Sequence, residues 1–184
     1  MFNARSTNNS AIKMNSEAAM WFMSHLDDSS DDAPPATKKW LEGLGLPLDL
    51  LRFMQWHWTQ EGCFAGPVKL RSSAKLPKEH NSKILTEHQL LPVGIGPNGD
   101  TFAIDYSSES CPVGFITHEE YAGKGDPRPF FRPAARSLES FLYRVIEGRY
   151  VPCDYYATGY HNEFLRAEAS HDPFPPYRPI KAEP

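Results

Sequence analysis

The chain has 184 residues and a formal net charge of −4. That length supports one well-cored domain with extensions, and so mild a balance lacks the basic stripe of a nucleic-acid binder. The acidity sits at the ends: residues 1–36 carry net −3, residues 37–150 net +1 and residues 151–184 net −2. Cys63, Cys111 and Cys153 stand far apart with no CxxC pair, which predicts free thiols in a reducing compartment, not a disulfide framework or a zinc ribbon. No basic-then-apolar leader opens the sequence, and no apolar run approaches the ~20 residues that span a bilayer. A cytoplasmic protein with no membrane contact is the expectation.

Residues 1–13 are polar, rich in Asn and Ser, and read as a loose tail. Ser16 is placed to cap a short helix over Glu17–Leu26, with Trp21, Phe22 and Leu26 on its apolar side. The run from Asp27 to Pro35 is aspartate-rich and ends in two prolines, as a solvated linker would. It lacks the glycine and terminal glutamate of a calcium loop. Thr37 is expected to cap a helix carrying Trp40, Leu41 and Leu44, ended by Gly43 and Gly45. Leu46-Pro47 then opens a second helix with Leu50, Leu51, Met54 and Trp58 at helical spacing and Gly62 as its stop. The triplet Trp56-His57-Trp58 reads as core or packing rim. Val68 and Leu70 alternate as one face of a strand that Gly66-Pro67 confines to an edge or a late start. Ser73–Gln89 has few apolar anchors and reads mostly as loop.

The stretch Leu90–Tyr106 contains Gly94-x-Gly96-x-x-Gly99, a spacing shared with dinucleotide-binding loops. Such a loop must open a helix at its third glycine. Here Thr101-Phe102-Ala103-Ile104-Asp105-Tyr106 follows, with Phe102, Ile104 and Tyr106 alternating. Asn98-Gly99 between apolar runs predicts a hairpin with a type I′ turn, and Gly94 and Gly96 a bend or bulge. Ser107–Ser110 turns into a third strand of a meander, Val113–His118. Tyr121–Pro133, crowded with Gly and Pro, reads as loop. Leu138, Phe141, Leu142, Val145 and Ile146 form the clearest helical stripe. Ser137 caps it, Glu139 lies in its first turn and Gly148 closes it. The stripe is expected against the Phe102/Ile104/Tyr106 face. Beyond Tyr150, tyrosines and phenylalanines are scattered among prolines. One short helix is expected over His161–Ala169, with an extended final segment.

The series Leu46-Pro47, Leu91-Pro92-Val93-Gly94, Gly99-Asp100-x-Phe102-x-Ile104-Asp105, Val113–His118 and Ser137-Leu138-Glu139-Ser140-Phe141-Leu142 resembles the SMI1/KNR4 family, also called the SUKH superfamily, over residues 37–148. Leu138 stands where the family often has Phe, and Ser140 where it often has Glu. The resemblance implies an α+β fold, a mainly antiparallel sheet with a central β-meander and helices packed on one face. It also implies three parts: an extension over 1–36, a SMI1/KNR4-like domain over 37–150 and a Tyr/Pro-rich extension over 151–184. Bacterial members of the superfamily are largely immunity proteins that bind and neutralise a cognate toxin, often a nuclease. Fungal members are regulatory and scaffold proteins. No catalytic constellation of the family maps onto these residues, so the expectation is a protein-binding domain with no enzymatic activity and no cofactor. A small nucleotide-binding enzyme using Gly94–Gly99 is the reading from a different class.

His118-Glu119-Glu120 is not the H-E-x-x-H of a zinc hydrolase, because no second His follows at the required position. The other histidines form no ligand spacing, and no G-x-S-x-G is present. A binding surface is better supported. If helices cover one face of the sheet, the other carries Thr101, Ala103 and Asp105, with Asp100, His118, Glu119 and Glu120 completing an acidic-leaning patch. These five ionisable residues are the expected partner contacts, able to mimic a phosphate backbone in front of a basic nuclease cleft.

Overall fold

A computed structural model of the chain describes residues 32–146, apart from Pro67 and His80 and the side chains of Tyr143, Val145 and Ile146. The helix expected over Glu17–Leu26, most of the aspartate-rich linker, Gly148, Cys153, the helix over His161–Ala169 and the Tyr/Pro-rich tail lie outside the described residues. The described part is α+β. Its spine is a six-stranded sheet in chain order, every neighbour pair antiparallel. The strands are β1 (Phe64–Ala65), β2 (Val68–Leu70), β3 (Leu90–Ile95), β4 (Thr101–Asp105), β5 (Val113–Ile116) and β6 (Phe131–Ala135). The helices are α1 (Pro35–Glu42), α2 (Leu48–Trp56), α3 (Ser82–Glu87) and α4 (Leu138–Ile146), with short 3-10 turns at Ser73–Lys78 and Arg128–Phe130. Among the described residues, no helix is long and apolar enough to cross a membrane.

Helix α1 begins two residues before the expected cap. Pro35 occupies its first turn, where the fixed φ of proline is already helical and its missing N–H costs nothing. Thr37 therefore lies inside the helix. It is buried, and its hydroxyl donates to the carbonyl of Ser73 at 3.2 Å, tying α1 to the first 3-10 turn. Gly45, at φ +70°, closes the turn that follows, and Leu46-Pro47 leads into α2 as expected. That helix ends at Trp56, well before Gly62. The aromatic triplet divides there. Trp58 is 1 % exposed, packs edge-on against Phe53 at 6.0 Å and donates its indole N–H to the carbonyl of Arg71 at 2.8 Å. Trp56 stays 46 % exposed, with the Lys38 ammonium 3.5 Å from its ring centroid.

Two stretches expected as loop carry structure. Within Ser73–Gln89 lie the 3-10 turn and α3. Each presents a single fully buried leucine, Leu76 and Leu85, and the Ser82 hydroxyl donates to the carbonyl of Leu76 at 3.1 Å. One anchor per turn is too little for a periodicity signal, yet enough once a sheet lies underneath. Within Tyr121–Pro133 begins β6, whose Pro133 is tolerated because the strand is at the sheet's edge. At the opposite edge the two-residue β1 covers β2, so β2 is not the edge strand. The hairpin is present, but its turn differs from type I′. The N–H of Gly99 donates to the carbonyl of Gly96 at 3.1 Å, and that of Gly96 to Asp100 at 2.8 Å. Gly99 has φ +91°, while Asn98 is not left-handed. Pro97 at the second turn position sets an ordinary turn closed by a left-handed glycine. The expected bulge appears as a register shift between Pro92 and Gly94.

Strand alternation sorts the side chains between two cores. Leu91, Val93, Phe102, Ile104, Val113 and Phe115 face α1, α2 and α4, and Phe102 meets Phe141 of α4 at 4.9 Å between ring centroids, as expected. An aromatic pair of this geometry adds about 1 kcal/mol beyond its buried area. Ser137 caps α4 as predicted, its hydroxyl accepting the N–H of Ser140 at 3.0 Å. The other face is not open. Leu90, Ala103 and Ile116 form a second core with Leu85 of α3 and Tyr121. Helices thus lie on both faces, three on one and α3 on the other.

At the far end of β4, burial pushes the phenol of Tyr106 and the thiol of Cys111 each up to about 12; at Tyr106 Arg128 lowers it by more than the Asp105 carboxylate raises it, and at Cys111 Asp105 adds to the rise. The fold holds both groups neutral, so the unfolded chain releases these protons first as pH rises. The stabilisation is complete below pH 9 for Cys111 and below pH 10 for Tyr106, and is lost as pH climbs toward about 12. Stability should fall by up to about 1.4 kcal/mol per pH unit for each group in that window. Urea titrations between pH 8 and 11.5 should show a shallower alkaline loss in Cys111→Val than in the parent. Identical slopes would refute this assignment.

Candidate functional site

The β3–β4 loop and the end of β5 are neighbours because Thr101 pairs with Ile116 across the sheet. Asp100 closes the loop and His118 stands two residues past Ile116, so the turn geometry brings the two together. Asp100 is 2 % exposed. Its Oδ1 accepts the backbone N–H of His118 at 3.1 Å and faces the ring Nδ1 at 2.8 Å. A carboxylate only accepts, so Nδ1 carries the hydrogen in this pair and Nε2 of the neutral ring is left as an acceptor. The His118 side chain is 54 % exposed, and Nε2 bonds no described residue. A Cβ on Gly99 would lie 3.8 Å from the imidazole, an ordinary contact; the turn's left-handed φ is what calls for glycine there.

The remaining expected contacts do not join this pair. Asp105 lies roughly 16 Å away at the other end of β4 and is 3 % exposed. Arg128 grips it with both terminal nitrogens, at 3.2 and 3.1 Å, and the N–H and hydroxyl of Ser107 donate to Oδ1 at 3.0 and 2.7 Å. The expectation of an outward-facing Asp105 is thereby corrected: alternation places it on the second face, and Arg128 covers it there. Glu120 pairs with Arg132 of β6 at 3.2 Å. Glu119 is exposed. The open acidic patch therefore reduces to Glu119 beside a carboxylate-held imidazole.

His118 rims a cleft of about 360 Å³ on the second face. Its floor is Pro92, Gly94 and Ile95 of β3 with Thr101 and Ile116, and its far wall holds Arg71 and Glu79. The Arg71 Nε lies 3.1 Å from Glu79 Oε1, an ion pair whose angle falls outside hydrogen-bond geometry. Both residues escape sequence inspection, because an Arg just after a strand and a Glu after a turn carry no local signature. Arg128, 23 positions from Asp105, escapes it for the same reason. The sequence matches no protein-family model and no curated protein. Among the described residues no group of three or more His, Cys, Asp or Glu is placed to hold a metal ion. The Gly94–Gly99 segment links two strands and opens no helix, so it lacks the helix N-terminus that a dinucleotide loop uses.

Thr117, also in the cleft wall, is 1 % exposed, and its hydroxyl meets no partner among the described residues. A buried hydroxyl without a partner costs about 1–3 kcal/mol. Thr117→Val keeps the shape and removes that cost. It should stabilise the protein by about 1 kcal/mol in urea unfolding, and a loss of stability would show that the hydroxyl is satisfied.

Proposed function

We propose that the chain is a non-catalytic protein-binding domain of the SMI1/KNR4 kind, acting in the cytoplasm as an immunity protein that neutralises a cognate toxin. The observation that carries the reading is His118, exposed at a cleft rim yet held by a buried carboxylate. A polar side chain fixed before contact loses little entropy on docking, which favours recognition. In support, Leu46-Pro47 leads into α2 and a Gly99-Asp100 turn leads into the next strand, as the resemblance implies. With Asp105 and Glu120 each paired to an arginine, broad mimicry of a phosphate backbone loses ground. Contact through His118 and Glu119 takes its place.

The test is to sequence the genes beside this one and to co-express the chain with any toxin that they encode. Growth rescue by the parent, weakened by His118→Ala combined with Glu119→Lys in a protein that still folds, is the expected result. A neighbouring toxin that neither binds nor is neutralised would count against immunity. A scaffold role is the second reading. Leu48, Trp56 and Phe64 are 58, 46 and 65 % exposed, apolar side chains that a docked partner would cover.

A further inference from the structure

The cleft has two unlike ends and an apolar middle. At one end Arg71 is held by its ion pair to Glu79, while its two terminal nitrogens have no hydrogen-bond partner among the described residues. Its backbone is fixed as well, the N–H donating to Val93 and the carbonyl accepting from Trp58. At the other end Nε2 of His118 faces outward from Asp100. Strands β2 and β5 are three places apart in the sheet, and the register offsets Arg71 from His118 by about four residues along the strands, so the two ends stand roughly 20 Å apart at the backbone, a gap the two long side chains narrow. Between them lie Ile95 and Ile116.

Charge narrows the ligand. Arg71 is offset by Glu79, and His118 sits on Asp100. The described lining therefore carries no net positive charge, so each further negative charge on a ligand adds to the electrostatic cost and a singly charged group is disfavoured least. A single carboxylate matches the planar fork of a guanidinium and needs only the two nitrogens left over. Apolar side chains between the ends call for an apolar body. The Nε2 acceptor calls for a donor at the far end.

We propose that this cleft binds a small elongated monocarboxylate: its carboxylate on Arg71, its apolar chain over Ile95 and Ile116, and a terminal hydroxyl donating to Nε2 of His118. The site is independent of the immunity reading and stands whether or not a protein partner is found.

Calorimetry and NMR titration of the full chain would use octanoate, its ω-hydroxy derivative, octyl phosphate and octanediol as probes. The ω-hydroxy acid should saturate at or below about 1 mM, ahead of octyl phosphate and the diol. Arg71→Gln should weaken both acids about tenfold or more. His118→Ala should weaken the ω-hydroxy acid alone and leave octanoate within about twofold, a split that general damage to the cleft would not produce. Ile95→Trp, which fills the floor without touching either charged end, should abolish binding, and it serves as the second variant if Arg71→Gln does not fold. Absence of saturable binding by either acid, equal binding of the diol or the phosphate, or indifference to both Arg71→Gln and Ile95→Trp would overturn the proposal.

Discussion

Gly114→Ala should destabilise the protein by about 3 kcal/mol or more, although it adds one methyl group. Gly114 lies in β5, paired with Pro133 of β6. A Cβ there would come 2.3 Å from the carbonyl oxygen of Arg132 and 2.8 Å from the Phe131 ring. The ring can swing aside. The carbonyl cannot, because it belongs to the neighbouring strand, and moving it means parting β6 from β5. That strand carries Ala134 and Ala135 into the core, and the carbonyl of Ala134 accepts from the buried Arg144 of α4. Displacing β6 therefore loosens α4 as well. For a chain of this size a loss of 3 kcal/mol lowers Tm by about 6–12 °C. A cost below about 1 kcal/mol would show that the two strands separate more easily than their pairing implies.

Trp58→Ala should cost about 3–5 kcal/mol, the range for removing a fully buried large aromatic. The side chain is 1 % exposed and meets Phe53 edge-on at 6.0 Å. Its second effect is on the cleft. The indole N–H holds the carbonyl of Arg71 at 2.8 Å, so Trp58 sets the backbone from which the guanidinium reaches. Trp58→Phe separates the two roles. It keeps most of the apolar volume and loses the hydrogen bond, at about 1–2 kcal/mol, and it should weaken monocarboxylate binding while leaving the fold intact. Urea unfolding and ligand titration on the two variants would show this. Equal stability losses in Trp58→Ala and Trp58→Phe would contradict the packing role.

What was legible in the sequence is what short-range physics decides. The alternation of Phe102, Ile104 and Tyr106, the serine immediately before α4, and the glycine in the hairpin turn each act within a few positions. What was not legible depends on a surface that local sequence does not describe. Leu85 is the one fully buried apolar anchor of α3, with Ile84 half-buried beside it, and the pair makes a helix because β3 lies beneath. Strand β6 reads as loop because Phe131-Arg132-Pro133 carries a proline, and only an edge position excuses it. Thr37 has the chemistry of a cap and spends it on Ser73. The candidate site divides in the same way. The sequence points to both Asp100 and His118, and the turn brings them into contact. Alternation puts Asp105 on the second face, but its cover, Arg128, comes from a loop with no signal of its own. Arg71 and Glu79 enter through the fold alone.

The claim on which the rest depends is that Asp100 fixes His118 with Nε2 turned outward. Nitrogen-detected NMR of the His118 ring, in parent and in Asp100→Ala, tests it most directly. In the parent the neutral ring should be the Nδ1–H tautomer, with Nε2 unprotonated and unaveraged, and in Asp100→Ala it should revert to the mixture of a free imidazole. A parent ring that is already averaged, or that carries its hydrogen on Nε2, would contradict the account.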